Sequence, residues 1–402
     1  MRKSYLDNVR WVTVVLVVIY HVIFMYNGEG IPGVVGKITD LPVQYYDVYM
    51  YMVFPWFMAV LFIVAGACSR YYLECHSEID FIKSRTTKLL VPSTVGLFVF
   101  HFIQGYVNIS IGGGFDSMKG VPAFVKFLIM IASGIGVLWF IQLLWLFSMA
   151  LLLIRKIDKD HLWSICAKAG VPVLILMAVP VWAAAQVLNT PIVCVYRFGL
   201  YFFMFLLGYF VFSHEEVIER LKQRALMFIA IAALVGGPFS ALYFGDNYAD
   251  APVNRTPLFT GFCWFGSLAM IGGMAKYGDV SNDFTRWMSK RSFGLYVFHY
   301  LCISLVGLYV AKPGLLPAPA VYLLSLVSGF AGGYALSAAV SRIPFLRWAV
   351  LGIKTKPATE ATETTETKLG EEAEADVEGL PCEEAKADVE GLPCEEAKTG
   401  AN

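Results

Sequence analysis

LDNVRWVTVVLVVIYHVIF, residues 6–24, places Arg10 and His21 eleven positions apart in an otherwise apolar run. At about 100° per residue, eleven steps make three turns plus roughly 20°, so the two side chains share one helix face about 16 Å apart along the axis. The spacing puts a cation at a membrane surface and an imidazole near the middle. An ionisable group in a bilayer core is costly to insert, and such a residue reads first as functional. A histidine that simply hydrogen-bonds a neighbouring helix is the plainer alternative.

The whole chain has the composition of a membrane protein. Hydrophobic residues make up 57% of it and charged residues 15%, against a soluble average near 45–50% apolar that also counts glycine. Stretches without Asp, Glu, Lys or Arg run 11–28, 48–69, 89–115, 127–154, 169–196, 198–214, 225–245, 256–275, 292–311 and 313–341. Most reach the roughly 20 residues that span a hydrocarbon core, which predicts an all-α polytopic membrane protein of about ten transmembrane helices. The sixth is the shortest, with Arg197 at its start expected to snorkel to the interface.

Lysine and arginine accumulate in alternate loops: Arg2, Lys3 and Arg10, then Arg70, Lys83, Arg85 and Lys88, then Arg155, Lys156, Lys159 and Lys168, and onward to Arg342, Arg347, Lys354 and Lys356. The intervening loops hold only Lys37, Lys119, Lys126, Arg197, Arg255 and Lys312. The positive-inside bias then predicts that both termini are cytoplasmic. Ser4 followed by Asp7 reads as a capping box that starts the first helix close to the N-terminus, with no cleavable signal region ahead of it.

Composition divides the chain into a membrane domain, residues 1–352, and a tail, residues 353–402. The tail carries fourteen acids and five bases, and the remainder seventeen acids and twenty-six bases, so the formal charge of zero hides a body of +9 and a tail of −9. ADVEGLPCEEAK occurs twice in tandem, at 375–386 and 387–398, behind the linker ATETTETKLGEEAE. Low hydrophobicity, high charge and repetition predict a disordered cytoplasmic segment. The eight cysteines show no CxxC or CxxH spacing, which predicts neither a disulfide framework nor a metal site. The Gly-rich stretch 112–121 lacks the GK[ST] of a phosphate loop and reads as the end of the third helix. That stretch and the loop 27–47 are the longest candidates for substrate contacts on the outer surface.

No Asp or Glu lies inside the apolar spans; His21, His101 and His299 are the histidines inside them, with Arg10, Arg197 and His214 at the edges. Ion-coupled carriers commonly use intramembrane carboxylates, so their absence weighs against that class. A neutral imidazole suits general-base work on a hydroxyl. In FIKSRTTKLLVP, residues 81–92, Arg85 and Lys88 are three apart on one helix face, where they can hold phosphates or serve as ordinary topology anchors. Together with Arg10 they would form a basic mouth on the path to His21. In RSFGLYVFHY, residues 291–300, Tyr296 and His299 share a face. Their readings are a partner behind His21, an acceptor contact, or interhelical bonding.

LDNVRWVTVVLVVIYH resembles the opening helix of the membrane acyltransferase-3 family, marked by an arginine, ten residues and a histidine. PWFMAVLFIVAGACSRYY, FIKSRTTKLLVP, VLWFIQLLW and SFGLYVFH resemble further segments of that family in the same order, so the likeness covers residues 1 to about 350. Ala65-Gly66 replaces the Ser-Gly of many relatives, and Lys88 stands where a second arginine is expected, which keeps charge but loses the planar fork. The resemblance implies an integral membrane acyltransferase of the bacterial cytoplasmic membrane. It would move an acyl group, acetyl or succinyl, from cytoplasmic acyl-CoA to a hydroxyl of a cell-envelope glycan, glycolipid or glucan, and Asp7-Asn8 ahead of Arg10 also resembles relatives that succinylate glucans. It further implies catalytic roles for His21 and Arg10, donor binding by Arg85 and Lys88, and a pocket completed by Trp139, Tyr296 and His299. Acyl-CoA enters as co-substrate, with no permanently bound cofactor, no metal and no nucleic-acid partner. The competing class is a non-enzymatic carrier or flippase for lipid-linked sugars, which would line a continuous channel with charge.

Overall fold

The computed structural model describes residues 3–28, 33–188 and 196–354. The tandem repeats of the predicted tail lie outside the described residues. In lipid every backbone polar group needs an internal partner, and the described chain answers with helices alone. These are α1 (Ser4–Met25), α2 (Tyr45–Cys75), α3 (Glu78–Ile111), α4 (Ala123–Ser133), α5 (Gly136–Asp158), α6 (Val171–Gln186), α7 (Phe198–Phe210), α8 (Glu215–Gln223), α9 (Ala225–Leu242), α10 (Pro257–Tyr277), α11 (Asp283–Ala311), α12 (Ala318–Ser341) and α13 (Pro344–Leu351).

Among the described residues eight helices are long and apolar enough to cross a membrane, or nine if α7 and α8 count together. The expected all-α polytopic membrane protein is the fold found, and the described residues hold eight or nine of the about ten spans. Within its described residues the apolar stretch 169–196 yields α6, which breaks between Leu176 and Ala178 and would reach about 24 Å even if straight, less than a hydrocarbon core. The stretch 198–214 yields α7, thirteen residues long, and the chain then turns by 105° into α8. An apolar run measures lipid compatibility, and it does not report where the helix stops.

Contacts gather the basic segments at one end of the bundle. Lys3 pairs with Glu215 at 3.0 Å, Arg70 with Asp160 at 2.6 Å, and Arg220 donates to Ala167 and Ala169 carbonyls. At the opposite end Tyr51 donates to the Asp246 carbonyl (2.8 Å), Tyr46 meets Tyr322 (3.1 Å) and Lys312 donates to the Ser110 carbonyl (2.7 Å). By the positive-inside bias of the sequence this second end is the outer one. α13 lies along α3 at the basic end and finishes at Gly352, whose φ of +69° is the left-handed stop that glycine adopts without strain.

α1 is anchored from a distance. Its N-cap is Lys3, with no side-chain cap, so the expected Ser4/Asp7 capping box does not form. Instead Asp279 accepts from the Tyr5 backbone N–H at 3.0 Å, and Asn8 donates to the Gly278 and Val280 carbonyls at 2.6 and 2.8 Å. At the other end Tyr26 bonds Ser325 (2.6 Å), about two turns inside α12, so α1 stops within the bundle. Val35 and Gly36 donate backbone N–H groups to the Met25 carbonyl and close over it.

α2 and α7 approach backbone to backbone. A Cβ at Gly66 would overlap the Phe205 carbonyl oxygen, and one at Gly208 would overlap that of Ile63. Close approach through small residues is a principal source of helix association in a membrane. Gly66→Ala should therefore lower stability by about 1–3 kcal/mol, whereas Gly237→Ala in α9, where an added Cβ meets nothing within 4 Å, should be neutral or slightly stabilising. Thermal unfolding of both variants in one detergent checks this, and equal melting temperatures would remove the close contact as a stabilising element.

Candidate active site

α1 and α11 pack together and bring His21 and His299 into contact. His299 Nδ1 lies 2.8 Å from the Tyr296 carbonyl oxygen and 3.1 Å from that of Leu295. A carbonyl only accepts, so Nδ1 carries the proton and Nε2 of the neutral ring is a lone pair. That lone pair faces His21 Nδ1 at 3.1 Å, and His21 Nδ1 also lies 2.9 Å from the Val17 carbonyl oxygen. Both contacts need a donor, which places the His21 proton on Nδ1. His21 Nε2 is left as the basic nitrogen.

Aromatic rings surround the pair. Tyr300 and Tyr20 stand 5.0 and 5.2 Å from the His21 ring, and Phe24 stands 6.2 Å away. Tyr296 lies 6.1 Å from His299 and donates its hydroxyl to the Val137 carbonyl, which ties α11 to the turn entering α5. Gly136 in that turn has φ +42°. Trp139 stacks on Tyr201 at 5.5 Å and reaches Tyr296 only through Phe140. The structure thus joins His21, His299 and Tyr296 and sets Trp139 one ring away.

The cations meet on α2. Arg10 pairs with Asp7 at 3.2 Å and donates to Cys68 at 3.3 Å, while Arg85 donates to the adjacent Ser69 at 3.1 Å and lies over the Phe81 ring. Arg10 is 6% and Arg85 3% exposed, so the expected open basic mouth is instead enclosed by protein. The assumption of plain helical spacing also fails after Arg85, because Thr86–Leu90 is a π-helical turn. Such wide turns shift side-chain phase and recur at functional sites. Lys88 sits in this turn and is half-buried.

His101 ends a second π turn of α3 and packs against Phe100 and Phe298, away from the histidine pair. Sequence reasoning missed the neutral chain Asn108–Gln104–Ser304, joined at 2.7 and 3.1 Å, although Gln104 and Asn108 at i,i+4 inside an apolar span were a visible signal. It also missed the Tyr20–Tyr248 hydroxyl contact at 3.0 Å. Arg197 does not snorkel; it is 1% exposed, because the outer segment around Ala249 folds over it. Cys68 is disulfide-bonded, where the spacing predicted no disulfide framework, while Cys166, Cys263 and Cys302 keep free thiols. A cavity of about 360 Å³ opens at the outer end between Lys37 and Lys312.

A family model described as an acyltransferase domain matches residues 3–338. The chain belongs to this acyltransferase-3 family, and it is a multi-pass membrane acyltransferase. No curated protein and no solved structure gives a significant match.

His299 touches His21 and so can orient its ring. His299→Phe keeps a ring of similar volume but removes the acceptor for the His21 Nδ1 proton. Acyl transfer at saturating donor should fall by about 10²-fold, the lower end of what loss of acid–base catalysis costs. A rate within twofold of wild type would reduce the imidazole contact to packing.

Proposed function

We propose that the protein transfers an acyl group from cytoplasmic acyl-CoA to a hydroxyl of a cell-envelope glycan or related carbohydrate, in the bacterial cytoplasmic membrane. The observation that carries this reading is the polarity of the histidine pair, which leaves His21 Nε2 as a lone pair in a partly exposed site lined by aromatic rings. In the reaction Nε2 takes the proton of the acceptor hydroxyl as its oxygen bonds the thioester carbon. The C–S bond then breaks, and the imidazolium returns the proton to the departing CoA thiolate. His299 positions the base throughout. Arg10 and Arg85, bonded to the adjacent Cys68 and Ser69 of α2, and Lys88 in the π turn just after Arg85 supply the positive charge that would attract the donor phosphates from the basic end.

Concentration of polar side chains on α1, α3 and α11, with no Asp or Glu among them at mid-membrane depth, favours chemistry over ion-coupled carriage. Acetyl is the acyl group proposed, with succinyl as the alternative. The reading is tested with purified full-length protein and labelled acetyl-CoA and succinyl-CoA, scoring binding and transfer separately; failure to bind either donor would sink it.

Two variants give the mechanism its magnitude. His21→Ala should keep donor binding and lose about 10²–10⁴ in transfer rate, whereas the loss of one interhelical hydrogen bond in a membrane protein averages only about 0.6 kcal/mol. Transfer within a few-fold of wild type would remove His21 as the base. Arg85→Ala with Lys88→Ala should raise the donor Michaelis constant more than it lowers the maximal rate, because contacts remote from the reacting carbonyl bind ground and transition states alike. An unchanged donor dependence would return both residues to topology anchoring.

A further inference from the structure

Arg197 precedes α7 at the outer end, on the far side of His21 from Arg10 and Arg85. Its Nη2 donates to the Ala249 carbonyl at 3.0 Å, while Nε and Nη1 have no hydrogen-bond partner. The guanidinium lies between the Phe54 and Phe259 rings, at 4.8 and 4.9 Å. Among the described residues no carboxylate is within ion-pair distance of it. Asn254, 2% exposed, donates to the same Ala249 carbonyl at 2.9 Å, and its Oδ1 has no partner. Two buried side chains therefore converge on one carbonyl and hold unused donors and an unused acceptor side by side.

A buried cation without an anion, next to an unsatisfied amide oxygen, is costly to fold. Two aromatic faces offset part of that cost, and the Tyr201 hydroxyl adjoins the guanidinium, yet Nε and Nη1 make no hydrogen bond. Unpaired groups of this kind concentrate where a ligand completes the pairing. The position suits an acceptor: Phe54 also stacks on Tyr20 at 5.8 Å, and Tyr20 adjoins His21. Tyr51 holds the segment above through Asp246 and Gly245.

We propose that Arg197 and Asn254 form the acceptor-recognition subsite. The guanidinium donates to an anionic oxygen of the sugar, a carboxylate or a phosphate, and Asn254 Oδ1 accepts a hydrogen bond from a hydroxyl on the same sugar. This deepens the acyl-transfer reading and rests on it. The acceptor is then an acidic or phosphorylated carbohydrate.

The test uses the full-length protein in nanodiscs, its thermal unfolding followed with added glucuronate, glucose 1-phosphate or glucose. Wild type should melt at higher temperature with glucuronate or with glucose 1-phosphate and not with glucose, and the anion that acts identifies the carboxylate or phosphate source. Arg197→Met should melt at or above wild type without sugar, because an apolar side chain of similar length replaces an unpaired charge, and should lose the sugar response. Asn254→Ala should weaken the response about tenfold, as expected for a lost hydrogen bond between partly charged partners. No response of wild type to either anion, an equal response to glucose, or a response retained by Arg197→Met overturns the subsite. Should Arg197→Met not fold, Arg197→Lys carries the test: it keeps the charge and loses the planar donors, and an undiminished response overturns the proposal. Tryptophan quenching by acetyl-CoA in the same wild-type samples separates the two readings. Donor binding without a sugar response removes the subsite alone, and an Arg197-dependent sugar response without donor binding keeps the subsite and removes acyl transfer.

Discussion

The hydrogen bond from His21 Nδ1 to His299 Nε2, 3.1 Å long, is the contact on which the site depends. Two neutral imidazoles can bond only if one donates and the other accepts, so the direction of the bond has to be imposed from outside. Here each helix imposes it with its own backbone: the Tyr296 carbonyl, three residues before His299, and the Val17 carbonyl, four before His21, both demand a proton on Nδ1. Backbone carbonyls thus fix the tautomer and orientation, one of the two tasks a buried carboxylate has in the serine hydrolase triad. An uncharged arrangement avoids the cost of an anion at mid-membrane depth, which accounts physically for apolar spans that hold histidines and no acids.

Much of this was readable in the chain. The eleven-residue interval from Arg10 to His21 and the three-residue interval from Tyr296 to His299 are facts of helical phase, and helical phase is local. The meeting of His21 with His299, 278 residues apart, could be named as one of three options and no further, because it depends on which faces of α1 and α11 pack together. The π turn at Thr86–Leu90 is likewise invisible to periodicity, so the Arg85–Lys88 pair looked like a simple i,i+3 face. The start of α1 shows the same limit. Ser4 and Asp7 have the local chemistry of a cap, yet Asp279 from a distant loop takes the Tyr5 N–H, and Asp7 turns to Arg10.

Charge is treated differently at the two ends of the bundle. At the basic end Lys3 has Glu215, Arg10 has Asp7, and Arg70 has both Glu74 and Asp160, so the cations that fit the positive-inside pattern are also tied into the fold. At the outer end Arg197 has aromatic rings and one carbonyl. Hydropathy gave both kinds of arginine the same role, anchoring at an interface, because it counts charges and cannot see counter-ions. Their difference appears only when burial and partners are considered together.

In the proposed reaction, burial around the histidine pair bears on a side reaction, hydrolysis of the acyl-CoA. Water is a competing acceptor, and a base open to bulk solvent would hydrolyse the thioester as readily as it activated a sugar. His299 is wholly buried, α1 ends inside the bundle, and residues 33–36 lie over it: Val35 and Gly36 bond the Met25 carbonyl, Tyr300 donates to Gly33, and Gly33 and Gly36 take φ values of +86° and +84° that let the chain turn this tightly. The rings of Tyr20, Phe24 and Tyr300 flank His21, which keeps partial exposure. In a site so lined, a hydroxyl delivered on a bound carbohydrate gains over water by orientation as much as by reactivity, since holding the attacking oxygen against the base replaces an encounter that solvent would otherwise win by concentration.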